Sequence, residues 1–78
     1  MLDWRIDVWS SPDHDDLVAE IYLAGQFVAL VDQEDGPDNL RISFAPNADV
    51  LGRMPLDQFE SAIQQAKNRL DKLRRQDP

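Results

Sequence analysis

Hydrophobic and polar residues alternate at the start of the chain. Leu2, Trp4, Ile6 and Val8 fall on one side, and Asp3, Arg5, Asp7 and Trp9 on the other. A period of two is the mark of a half-buried strand, predicted here over 2–9. Trp4 is assigned to the core. Trp9, five residues later, belongs to the opposite face or the sheet edge.

The same period returns over 17–24 and 26–33, on either side of Ala24-Gly25. A two-residue turn with glycine supplying a positive φ predicts a hairpin. That register sets Leu23 against Gln26, Ile21 against Val28 and Ala19 against Leu30. Leu17, Ala19, Ile21, Leu23, Val28 and Leu30 then share one face, while Val18, Tyr22, Phe27, Ala29 and Val31 surround Glu20 on the other. A slip of one residue would exchange the faces. Glu34 to Asn39 reads as a turn, and 39–45 as a fourth strand with Leu40, Ile42 and Phe44 inward and Arg41 and Ser43 outward. Pro46, which has no donor for a ladder, ends it.

The period then changes. Leu56, Phe59, Ile63, Ala66, Leu70 and Leu73 recur at steps of three or four, one stripe of a helix predicted over 55–75. Pro55 suits the first helical position. Asp57 and Glu60 complement the positive end of the helix dipole, and Lys67, Arg69, Lys72, Arg74 and Arg75 the negative end. The expected fold is α+β, a single domain over 1–78. It is a four-stranded antiparallel β-meander with one C-terminal α-helix on one face. Residues 47–54 form an irregular connection anchored by Val50, Leu51 and Met54.

Composition narrows the setting. At 78 residues the chain has no cysteine, which rules out disulfides and thiolate metal sites and fits a reducing cytoplasm. Met1 to Arg5 lacks the apolar core of a signal peptide. No apolar run approaches the roughly 20 residues that span a bilayer, so neither export nor a membrane partner is expected. Net charge is −7, with eleven acids and two bases up to Val50, and four acids and six bases beyond it. Phosphate backbones repel such a surface, so no nucleic-acid partner is expected. A basic protein surface attracts it, although acidity also serves solubility alone.

Candidate chemistry is sparse. His14 lies among Asp13, Asp15 and Asp16 in a loop. One histidine on a loop is a poor basis for fixed coordination, and the acids there read as turn caps and solvation. The chain has no glycine-rich phosphate loop and no nucleophile elbow, and nothing in its pattern buries two carboxylates together. No catalytic residue, metal or cofactor is expected.

The face away from the helix carries the functional expectation. Aromatic residues beside arginine are typical interface anchors, and Trp9, Tyr22, Phe27 and Val31 are assigned that role. Asp13, Asp15, Asp16, Asp32, Glu34 and Asp35 are assigned to steering. Three readings stand: a docking patch for a protein partner or a second copy, a face covered by the 47–54 connection, or simple cross-strand pairing of Trp9 and Tyr22.

Trp9–Tyr22 and Gly25–Glu34, with the helix start Arg53–Ile63, resemble a set of short, uncharacterised bacterial proteins. Small acidic proteins of this general kind are often immunity proteins, and by that analogy of size and charge the expected role is to neutralise a toxin domain by occluding a basic cleft. The alternatives are a phage-encoded anti-defence protein that imitates nucleic-acid phosphates, and an oligomerising structural module such as a homodimer.

Overall fold

The structure, a computed structural model, describes residues 3–46 and 54–75, the last two of them as backbone only. The expected strand start at Leu2 and the connection over 47–53 lie outside these residues, and with them the question of whether that connection covers the far face.

Four strands and one helix follow one another: β1 Trp4–Trp9, β2 Val18–Leu23, β3 Gln26–Asp32, β4 Arg41–Phe44 and α1 Leu56–Arg75. The strands pair antiparallel in chain order, with β1 and β4 at the edges. This is the expected α+β meander with its C-terminal helix packed on one face. Ala24 and Gly25 make the β2–β3 turn with φ of 52° and 80°. Two consecutive positive φ values match the right-handed twist of the strands they join.

The register departs from expectation beyond that turn. Leu23 pairs with Gln26 and Tyr22 with Phe27, but Ile21 then pairs with Ala29 and Ala19 with Val31. Val28 is the extra residue of a β-bulge. The bulge moves Ala29 and Val31 to the helix side and Leu30 to the far side, reversing the expected assignment of all three. Val28 and Ala29, adjacent in sequence, are both fully buried in the core.

The core joins Ile6, Ala19, Ile21, Leu23, Val28, Ala29 and Val31 of the sheet to Ala62, Ala66 and Leu70 of the helix. Phe59, Ile63 and Met54 pack at its margin. The buried stripe is therefore turned from the expected one: Ala62 enters it, while Leu56 is 68% exposed and Leu73 37% exposed. Two alanines facing the sheet let the helix backbone approach β1 and β2, over which it lies. Pro55 precedes the helix rather than opening it. Its carbonyl accepts the Phe59 N–H at 3.1 Å, as an N-cap carbonyl does. No helix among the described residues is long and apolar enough to cross a membrane.

Candidate docking face

Strand alternation sends Arg5, Asp7 and Trp9 of β1 to the face away from the helix, with Glu20 and Tyr22 of β2, Phe27, Leu30 and Asp32 of β3, and Arg41 and Ser43 of β4. Cross-strand pairing sorts them into rows. At the hairpin end, Arg5, Tyr22 and Phe27 lie side by side. Arg5 Cζ sits 4.4 Å from the Tyr22 ring centroid, within cation–π range. Tyr22 and Phe27 meet edge to face with centroids 5.8 Å apart, the geometry that ring quadrupoles favour.

The middle row is acidic. Asp7 stands directly opposite Glu20, and Leu30 and Ser43 continue the row. Two like charges in that relation destabilise a sheet unless neighbours compensate. Arg5 Nε compensates Asp7, 3.1 Å from its Oδ2. Tyr22 O–H donates to Glu20 Oε1 at 3.2 Å. Burial and the Glu20 carboxylate, in that order, raise the Tyr22 pKa above the ordinary 10.0, with Arg5 working against them.

At the other end Trp9 is 44% exposed and stands opposite the fully buried Val18. Here the two acidic loops meet. The Asp15 N–H donates to Glu34 Oε1 at 2.8 Å, and the Glu34 N–H to Asp32 Oδ1 at 3.2 Å. Asp35 Oδ2 accepts from Arg41 Nε at 3.0 Å. Asp13, Asp15, Asp16, Glu34 and Asp35 are exposed, and Asp32 is half-buried. His14 is half-buried in the first loop, its Nδ1 without a partner. Among the described residues no group of three or more metal-ligating side chains is placed to hold an ion.

The expected anchors thus fall into two groups. Tyr22 and Phe27 share one row. Trp9 is set with the acids about 13 Å along the sheet, four residues of strand at about 3.3 Å each. Val31 is not an anchor: it is 3% exposed in the core, because the Val28 bulge moved it beneath the helix. Sequence reading missed Leu30, which the bulge brings to the far face beside Glu20. Within Phe27–Val31 every residue is apolar, so no alternation reported which way Leu30 points.

No family model matches the chain, and neither a curated protein nor a solved structure does.

Proposed function

We propose that this chain is a non-enzymatic protein-binding inhibitor, in the manner of an immunity protein that occludes a basic cleft on a toxin domain. The observation that carries this is the far face. It presents a pre-organised Arg5–Tyr22–Phe27 row and an exposed Trp9, joined by the acidic Asp7–Glu20 pair and ending in two clustered acidic loops. Rigid aromatic anchors lose little conformational freedom on binding. Clustered acids accelerate encounter with a basic surface.

The division of the face separates two roles. The aromatic row holds the partner and the acidic end steers it. Capture from the source cell, followed by rebinding of the purified captured protein, tests this. Tyr22→Ser with Phe27→Ser raises Kd by at least about thirtyfold, the scale of one interface hot spot. Asp13→Asn, Asp15→Asn and Asp16→Asn together slow association and flatten its salt dependence. Unchanged binding by the double variant removes the face as the interface. The clustered carboxylates also fit phosphate imitation in an anti-defence protein. In that case the captured partner is a nucleic-acid-binding effector and nucleic acid competes for it.

A further inference from the structure

We infer that the outer edge of β4, unpaired among the described residues, is a self-association edge, at which a second copy of the chain pairs antiparallel about a two-fold axis at Ser43 and joins two four-stranded sheets into one. In an antiparallel ladder, residues alternate between exchanging hydrogen bonds with one neighbour and turning their backbone groups away from it. The Ala45 N–H donates to the Val28 carbonyl at 2.8 Å. Arg41 and Ser43, two-residue steps from Ala45, therefore also bond towards β3. Ile42 and Phe44 turn their N–H and C=O groups to the outside. These two residues also leave their side chains 37% and 54% exposed on the helix side.

The opposite edge is built differently. The Ala24 N–H donates to the Asp3 carbonyl at 2.8 Å, so the same alternation turns Trp4, Ile6 and Val8 outward on β1. There Arg69 Nη1 donates to the Ile6 carbonyl and Trp4 Nε1 to Gln58 Oε1. The helix packs alongside, and the exposed Asp3 adds charge. Such devices keep edge strands from pairing. Among the described residues none of them guards Ile42 or Phe44. The charge of the neighbouring Arg41 is held by Asp35 at 3.0 Å.

A second copy fits this edge in three respects. With the axis at Ser43, Ile42 of each copy exchanges both backbone bonds with Phe44 of the other, an apolar–aromatic pair. Ser43 then meets Ser43 and Arg41 meets Ala45, with no like charges opposed. Secondly, β4 carries no carboxylate, whereas β1, the other edge strand, carries Asp7, so pairing two copies of β4 opposes no strand carboxylates. Thirdly, Phe59 lies against Phe44 with ring centroids 6.2 Å apart, while Ile63 and Lys67 share a groove with Ile42 and Leu40. The helix thus runs antiparallel to β4. The two-fold axis then sets Lys67 of each copy close to the level of Pro55 and Asp57 of the other, a charge order that repeats on both sides of a closed pair.

This inference uses a different surface from the proposed docking face and stands apart from it. Sedimentation equilibrium from micromolar to millimolar chain is expected to give the mass of two chains at the upper end. The Ile42 and Phe44 amides should become slower to exchange as concentration rises. Phe44→Lys is expected to stay at single-chain mass throughout with its far-UV circular dichroism unchanged. Ile42→Pro, which removes an outward N–H and no backbone bond to β3, is expected to do the same. Tyr22→Ser with Phe27→Ser should leave the mass at two chains. A single-chain mass for the wild type at every concentration overturns the inference, as does a dimer that survives both edge substitutions. Concentration-independent protection of both amides in a monomer also overturns it, since another occupant then holds the edge.

Discussion

Arg5 sits over the ring of Tyr22, its Cζ 4.4 Å from the centroid, and the phenol beneath it donates to Glu20 Oε1 at 3.2 Å. The phenol is thus held protonated by burial first and by the Glu20 carboxylate second, against the pull of Arg5. Its folded pKa lies above the unfolded value. The associated stability is fully present below about pH 10 and is lost as pH rises through the folded value. This is the chain's single tyrosine, so ultraviolet titration reads it directly. The expected midpoint is above 10.0. Glu20→Gln should lower the midpoint without restoring the ordinary value, because burial remains. A wild-type midpoint at or below the ordinary value would refute this account of the row.

Ala24 holds a left-handed backbone at φ 52°, where a Cβ is costly. Asparagine tolerates that conformation better and, before glycine, favours this turn. Ala24→Asn is expected to stabilise the fold by about 0.5–1 kcal/mol, read as a higher urea midpoint at unchanged slope. Gly25→Ala should act in the opposite direction. The space around Gly25 is open, but its φ of 80° is strained for any side chain.

Leu70 and Leu56 belong to the same sequence stripe yet differ completely in burial: one is fully buried and the other 68% exposed. Leu70→Ala should cost about 2–5 kcal/mol. Leu56→Ser should change stability by no more than about 0.5 kcal/mol. Equal losses on chemical denaturation would place the helix at a different rotation.

Arg69 reaches across the β1 edge to the Ile6 carbonyl. Arg69→Met keeps the apolar stem and removes the donor. A loss of about 0.5–1.5 kcal/mol is expected, since the carbonyl left behind can still bond water. Light scattering should also show more self-association, because a second edge then loses its guard.

The fold could be read because its periods are clean. Alternation in β1 and the three–four spacing of α1 identify a strand and a helix, and Ala24-Gly25 fixes the start of the hairpin. Reading failed where the pattern falls silent. In Phe27–Val31 an unbroken apolar run conceals a bulge, so the pattern does not report the faces of Ala29, Leu30 and Val31. On the helix, Leu56 fits the spacing, but α1 lies over β1 and β2 and leaves Leu56 without a partner surface. Ala62 carries no large apolar side chain to mark it, because close helix–sheet approach selects small residues. The candidate site was legible as residue types, but not as two separated groups, because loop contacts such as Asp15 to Glu34 arise only in the folded chain.

The bulge also makes one position in β3 expendable in a way its neighbours across the ladder are not. Excise Val28 and Phe27 still meets Tyr22, Ala29 still meets Ile21, and the ladder closes without a gap. The molecule would forfeit one valine of its interior and some of the strand's coiling, while every other side chain kept its side. The same excision from the middle of β2 would throw the turn and the rest of the sheet out of phase. A deletion in this hairpin therefore keeps the sheet in phase at one joint, and that joint lies inside the core.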